Sequence, residues 1–236
     1  PGLAGFTCAT FCTALMTLYE QGKFQLFEPV STYLPAFGKV KVLESNGHGG
    51  TKSVDPARPM TIRDLLMHTA GLTYDFLVDS PVGELYRAAH LCMDTGRTLE
   101  ALIGELARLP LAYQPGSRWH YSLSIDVLAH LIEVLSGQSL RDFLQAQIFA
   151  PLGMSDTDFC VPAAKQARLV TMYGLPDLFG AGVTFPQLNE AWDRGDNERI
   201  DVSATYPTDQ PARFARGGHG LFSTVSDYLR FAQMLL

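Results

Sequence analysis

Apolar residues recur at helical spacing in several stretches of this chain. The first stretch, Phe11 to Gln21, has apolar positions three and four residues apart and is followed by Gly22, a residue type that commonly ends a helix. The same spacing predicts further helices, in chain order, over Thr61 to Met67, Thr98 to Arg108, a stretch that starts near Ser124 and ends at Leu135, Leu140 to Phe149, and Asp227 to Leu236. Helix is therefore the main predicted element.

Residues that cap helices stand at the start of most of these stretches. A serine or threonine hydroxyl can accept a hydrogen bond from a backbone N–H that the first helical turn leaves unpaired. Gly137 and Pro151 mark the ends of two of the predicted helices, because glycine favours the turn after a helix and proline cannot continue one. The predicted caps are Thr61, Thr98, Ser122 or Ser124, and Ser223 or Thr224.

Two stretches lack helical spacing. Residues 38–59 are polar and glycine-rich, which predicts a surface loop or a hairpin. Residues 161–216 combine many Gly, Pro, Asp and Asn residues with short apolar pieces, which predicts an extended loop with brief strands. The predicted organisation is a mainly helical part over residues 1–160, a loop-rich part over 161–216, and a loop and helix over 217–236.

Composition narrows the functional classes. The 236 residues are 47% hydrophobic and 18% charged, as in a globular protein. The net charge is −6 and the basic residues are scattered, so we expect no nucleic-acid partner, and no apolar run is long enough to predict a membrane span. Cys8 and Cys12 stand one helical turn apart, and we interpret them as small buried residues because no further metal-ligating residues lie close in sequence.

Tyr121 is the residue whose position suggests chemistry. A turn at Pro115 and Gly116 precedes a short extended segment that ends at Tyr121, and an apolar-faced helix follows directly. This layout places a phenol at the edge of a rigid element. From the residues alone, the tyrosine is either a catalytic or binding group or an interfacial aromatic side chain.

Three strings in the chain together resemble one superfamily. They are MTIRDLLMHTAGL over residues 60–72, PGSRWHYS over 115–122 and IFAPLGM over 148–154. The chain resembles the serine β-lactamase-like superfamily of penicillin-binding proteins, class C β-lactamases and related esterases and acyltransferases, from about Thr13 to Leu236. The resemblance implies an α/β fold, with an antiparallel sheet and a helical subdomain. It also implies that this chain is mostly the helical portion, with few strands, and lacks the N- and C-terminal sheet strands.

The resemblance also implies roles for individual residues. Tyr121 matches the tyrosine that takes part in proton transfer around the nucleophilic serine, and Ser122 and Leu123 are expected to bind substrate. Leu123 stands where many penicillin-interacting members have asparagine, which favours an esterase or acyltransferase. His68 belongs to a string that marks the fold beside the active site, and His219 is expected to be a loop residue near the pocket. No metal or organic cofactor is implied.

The family's nucleophile motif, S-x-x-K, is absent from the chain, because no serine is followed three residues later by lysine. Residues three apart share a helix face, which is how the lysine amine activates the serine oxygen. The downstream string ALMTLYEQGK is present, and counting back from Gly22 places the serine position at Gly5 and the lysine position at Cys8. A thiol at Cys8 would lie one helical turn from the serine's place and would lack an amine partner.

The sequence therefore predicts a member of the serine hydrolases that form an acyl-enzyme with small ester or amide substrates, here in a truncated or inactive form. One alternative is a non-catalytic relative that binds a ligand or a partner protein. Another is that residues 1–11 are read incorrectly and the gene encodes S-x-x-K. Reading the coding DNA upstream of Ala14 in every frame tests this last alternative.

Overall fold

The central element of the fold is helix α5 (Ser124–Ser136), which packs against four other helices. Eight of its thirteen residues are buried, so it lies inside the core, as a helix that is apolar around most of its circumference does. Its neighbours are α1 (Ala4–Glu20), α2 (Ile62–Leu66), α4 (Leu99–Leu106) and α6 (Leu140–Leu144). The computed structural model describes residues 4–47, 49–92, 96–174, 184–195, 198–200 and 215–236.

Helix α1 is longer than the sequence predicts. It begins at Ala4, whereas the apolar spacing placed its start at Phe11. Two threonines explain the difference, because Thr7 and Thr10 are buried positions of the helix that an apolar pattern does not count. The end is as predicted: Gly22 has a φ of 70°, and the Lys23 backbone N–H donates to the Leu18 carbonyl across 3.0 Å.

The threonine caps are confirmed. Thr61 and Asp64 form a capping box at the start of α2, in which each side chain accepts from the backbone N–H of the other residue. Thr98 accepts from the backbone N–H of Ala101 at α4, and Thr224 caps the last helix, α8 (Val225–Met234). Helix α6 continues through a wider turn, residues 145–149, and ends before Pro151, as predicted.

The prediction that Ser122 or Ser124 caps α5 is wrong. The residue before this helix is Leu123, and no side chain caps it. The two serine hydroxyls lie 2.7 Å apart and bond each other, and Ser122 also contacts His68. Their hydrogen-bonding capacity is therefore used between side chains, and the helix start is left without a hydroxyl cap.

Two of the α-helices in the described residues were not predicted. Helix α3 (Pro81–Ala88) begins with a proline after Ser80, whose hydroxyl accepts from the backbone N–H of Val82. Helix α7 (Phe185–Arg194) lies inside the stretch predicted as a loop with brief strands. The Thr184 hydroxyl accepts from the Gln187 N–H, and the Gln187 side chain accepts from the Thr184 N–H. This is a capping box, which explains the helix.

The described strands form two short antiparallel pairs. Strands β1 (Val42–Ser45) and β2 (Thr51–Val54) make the predicted hairpin, with Val42 opposite Val54. Strands β3 (Met172–Gly174) and β4 (Glu198–Ile200) pair in the stretch after residue 160. With strands this short and few, the described part of the chain is mainly helical. None of its helices is both long and apolar enough to cross a lipid bilayer.

Candidate functional site

Tyr121 lies directly before α5, and its phenol faces helix α1. The Cys8 thiol and the Tyr74 hydroxyl are near enough to act on the pKa of the Tyr121 hydroxyl. The Tyr74 and Tyr121 rings pack with their centroids 5.1 Å apart. Burial, and then the neighbouring Cys8, raise the pKa of Tyr121 to about 12, so the phenol is neutral at physiological pH.

Cys8 occupies the side of this site that α1 provides. The residue is half-buried. Burial raises the pKa of its thiol to about 11, and Cys12 and Asp126 add to the effect. A thiol reacts as a thiolate, and reactive cysteines have a lowered pKa beside a cation or a helix N-terminus. Cys8 has the opposite environment, so its thiol stays protonated.

Asp126 is fully buried in the first turn of α5. Its Oδ1 atom accepts hydrogen bonds from the backbone N–H groups of Gly217 and Gly218, at 2.9 and 3.2 Å. Burial raises the pKa of Asp126 to about 6, although these two N–H groups and the charge of Arg216 favour the ionised form. The carboxylate therefore joins α5 to a loop that is about ninety residues away in the chain.

The two glycines allow this contact. A Cβ atom at Gly217 would lie 2.2 Å from the backbone oxygen of Ile125, which no side chain tolerates. A Cβ at Gly218 would lie 2.7 Å from the Tyr74 hydroxyl and 3.0 Å from Oδ2 of Asp126. Tyr74 and Asp126 therefore face the same point. We call Cys8, Tyr74, Tyr121 and Asp126 the Tyr121 cluster.

His68 lies against the other face of Tyr121. The two rings have centroids 5.0 Å apart, and Nδ1 of His68 is 3.3 Å from the Ser122 hydroxyl. Its φ of 53° places the backbone in the left-handed region at the end of α2, where its carbonyl accepts from the His120 N–H. Burial, and then His120, lower the pKa of His68 to about 4, so the ring is neutral.

The three residues predicted for the site are consecutive in the sequence, but the structure gives them different surroundings. Tyr121 is half-buried within the Tyr121 cluster, whereas Ser122 and Leu123 are each only 1% exposed. The Ser122 hydroxyl contacts His68 and Ser124. The catalytic role of Tyr121 and the substrate-binding roles of Ser122 and Leu123 stay predictions.

Sequence reasoning did not single out Tyr74 or Asp126. Tyr74 is buried and stacks on Phe76 at 4.9 Å, and burial raises its pKa well above the usual value. The signal for Asp126 was available, since an aspartate between Ile125 and Val127 interrupts an apolar helix. A charged residue at such a position needs a specific partner. Within the described residues, no group of three His, Cys, Asp or Glu side chains could hold a metal ion.

Comparison with known proteins defines the class. The family model described as Beta-lactamase matches residues 9–236, so the chain belongs to the β-lactamase family. This confirms the resemblance to the serine β-lactamase-like superfamily and its α/β fold, of which this chain is mainly the helical portion.

Individual relatives include proteins named as esterases. Protein Rv1367c of Mycobacterium tuberculosis is 35% identical, over 99% of this chain and 53% of its own length. Lovastatin esterase of Penicillium rubens is 31% identical, over 99% of this chain and 54% of its own. The solved structure of EstCE1, a hydrolase with promiscuous acyltransferase activity, has a TM-score of 0.69 at 27% identity and covers 97% of this chain and 56% of that one. This chain spans about half the length of these relatives.

Proposed function

We propose that this chain binds a small ester or amide ligand in the family's pocket without hydrolysing it through a serine. The observation that carries the proposal is the contact between Tyr121 and Cys8. At the place where the family has a lysine amine beside the tyrosine, this chain has a thiol. Neither group is ionised at physiological pH, because the pKa of Cys8 is raised to about 11 and that of Tyr121 to about 12.

Two features of these residues oppose hydrolysis of an ester or amide. The resemblance places the nucleophile at Gly5, which has no side chain to attack a carbonyl. A general base must also accept a proton near the working pH, and a phenol is suited to that when a nearby cation lowers its pKa. Cys8 supplies no charge, and the buried carboxylate of Asp126 makes a phenolate still less favourable.

Two observations support residues 1–11 as genuine. Helix α1 is regular from Ala4, so positions 5 and 8 share a helix face, as the family motif requires. The match to protein Rv1367c also runs over 99% of the chain. The coverage of this match favours a natural replacement of the two residues over an incorrect reading of the gene.

The ligand class comes from the relatives. Lovastatin esterase and EstCE1 carry names that describe ester hydrolysis or acyl transfer. The Tyr121 cluster offers hydroxyl and carboxylate groups in apolar surroundings, which suits a small molecule with a few polar groups. We therefore place the binding of such a ligand at the Tyr121 cluster.

The test separates binding from turnover. Binding is measured with N-phenylbutanamide, an amide that hydrolyses slowly, through the NMR signals of labelled tyrosine rings. Turnover is measured as p-nitrophenolate release from p-nitrophenyl butyrate, with Tyr121→Phe as the control. We expect saturable shifts of tyrosine signals and no release above that of the control. Release that Tyr121→Phe abolishes would refute the proposal, and mass mapping of a trapped acyl-enzyme would then locate the nucleophile.

A further inference from the structure

One oxygen of Asp126 is buried without a hydrogen bond. Oδ1 accepts from Gly217 and Gly218, but Oδ2 accepts from none of the described residues. The residue is 0% exposed. Burying a carboxylate oxygen without a hydrogen-bond donor costs free energy. Its presence in a folded protein therefore calls for an explanation.

The groups around Oδ2 do not supply a donor to it. The Tyr74 hydroxyl faces the same point beside Gly218. Arg216 attracts the carboxylate and lowers its pKa, but its guanidinium donates to the backbone oxygens of Arg97, at 2.6 Å, and Ala215. The carboxylate keeps an unused acceptor, Oδ2, which lies beside Gly218 as the Tyr74 hydroxyl does.

The electrostatics of the cluster identify the kind of group that fits. The negative charge of Asp126 acts on the other three members and raises the pKa of each of them. The cluster is thus rich in acceptor oxygens and contains no ammonium of its own, because position 8 is a cysteine. A positively charged donor stabilises a buried carboxylate best.

We propose that the ligand of this pocket carries a primary ammonium group, which binds the Asp126 carboxylate and the hydroxyls of Tyr74 and Tyr121. An ammonium has three N–H donors and no acceptor, which matches three converging oxygens. This inference rests on the proposed function, since it names the ligand class of the same pocket. The ligand enters on the side where Cys8 and Tyr121 are only half-buried.

The probe is n-butylammonium, and its neutral and anionic counterparts are n-butanol and butyrate. Binding is measured near neutral pH through the NMR signals of labelled tyrosine rings, where Asp126 is ionised because its pKa is about 6. We expect butylammonium to bind about tenfold more tightly than butanol, the ratio that one charge-assisted hydrogen bond supplies. Butyrate should bind more weakly than either. Equal affinity for butylammonium and butanol would overturn the inference.

Two variants show whether Asp126 is responsible. Asp126→Asn keeps an acceptor for the Gly217 and Gly218 N–H groups but removes the charge, and we expect it to lose about tenfold in butylammonium affinity. Glu100→Gln removes an exposed charge from α4 and should leave the affinity unchanged. If Asp126→Asn does not fold, Tyr74→Phe takes its place and should also weaken binding. Unchanged affinity in the variant that folds would overturn the inference.

The two proposals fail in different ways. If the chain binds N-phenylbutanamide but does not distinguish butylammonium from butanol, the ammonium inference is wrong and the proposed function stands. If the chain hydrolyses p-nitrophenyl butyrate through Tyr121, the proposed function is wrong, whatever the result with butylammonium.

Discussion

The Cys8 thiol raises the pKa of the Tyr121 hydroxyl, and both groups are neutral at physiological pH. The resemblance to the family matches this pair of positions to a lysine and a tyrosine. The exchange replaces a cation by an uncharged group, and this changes what the remaining residues can do.

The first prediction concerns the reactivity of Cys8. With its pKa raised to about 11 from 9.0, Cys8 carries about a hundredfold less thiolate at neutral pH than an ordinary cysteine. We expect iodoacetamide to alkylate Cys8 about a hundredfold more slowly in the folded protein than in urea, as followed by peptide mass spectrometry. Cys8→Ser serves as the control that identifies the peptide. Equally fast alkylation in both states would contradict a protonated, protected thiol.

The second prediction restores the family motif. A Gly5→Ser, Cys8→Lys double variant places a hydroxyl and an amine on one face of α1, beside Tyr121. We expect a fluorophosphonate probe to label this variant at position 5, with a mass gain of one probe molecule. The native chain has no hydroxyl at position 5 and should not be labelled there. The single Gly5→Ser variant should label at least about tenfold more slowly, because it lacks the activating amine. If the double variant resists the probe, something other than these two residues prevents acylation.

The third prediction is a pH dependence of stability caused by Asp126. Its pKa rises from 3.8 in the unfolded chain to about 6 in the folded protein, so the folded state holds the proton more tightly. The stabilisation that results is fully present below about pH 4 and is lost as the pH rises through 6, a change of about 3 kcal/mol. Urea unfolding at a series of pH values measures it.

The comparison for this pH series is Asp126→Asn, which cannot titrate. His68 acts in the opposite direction, because its pKa is lowered from 6.5 to about 4 and its stabilising contribution disappears as the pH falls through that window. His68 is present in both proteins and cancels in the difference. A difference between native and variant chains that does not vary from pH 4 to 6 would exclude a raised pKa at Asp126.

The fourth prediction concerns the start of α2. Arg58 donates two hydrogen bonds to the buried carboxylate of Asp64, at 2.6 and 2.8 Å, and Asp64 also completes the capping box with Thr61. Hydrogen bonds from Arg58 and Thr61 outweigh burial and lower the pKa of Asp64 to about 2. We expect Asp64→Ala to reduce the free energy of unfolding by about 3 kcal/mol.

An exposed ion pair provides the matched control for Asp64. Glu105 and Arg108 lie one helical turn apart at 3.1 Å, and the Arg108 side chain is 78% exposed. Glu105→Ala should cost no more than about 0.5 kcal/mol, because solvent screens the pair. Similar losses in the two alanine variants, measured by urea unfolding, would mean that burial of Asp64 contributes little.

The fifth prediction compares two glycines. Gly217→Ala would place a Cβ atom 2.2 Å from the Ile125 backbone oxygen, so the loop must move away from Asp126. Gly104 lies inside α4 with no atom within 4 Å of its Cβ position, and Gly104→Ala should raise stability by about 0.5–1 kcal/mol. We expect the two substitutions to shift the melting temperature in opposite directions. A melting temperature that rises in both would contradict the close approach at Gly217.

The sequence predicted the helices that neighbouring residues specify, through a capping residue or the spacing of apolar side chains. Helix α2 was found because Thr61 and an apolar spacing stand together, and α1 was found by its apolar residues except for the part that Thr7 and Thr10 bury. Helix α7 was missed, although its capping box is also local, because loop-type residues dominate the surrounding stretch. A composition averaged over fifty residues hides one short helix.

The contacts within the candidate site could not be predicted from the spacing of apolar residues. The position of Tyr121 was found from a motif, but its contact with Cys8 joins residues that are more than a hundred positions apart. The role of Asp126 depends on two N–H groups that a distant loop brings to it. Spacing within one helix cannot identify such a partner, because the tertiary fold alone brings the two segments together.

Helix α5 carries the packing centre of the protein and its buried carboxylate, and the positions matched to the nucleophile motif lie on α1, which packs against it. Because Phe11, Leu15 and Leu18 form the buried face of α1, positions 5 and 8 can differ from serine and lysine while the packing of α1 on α5 persists.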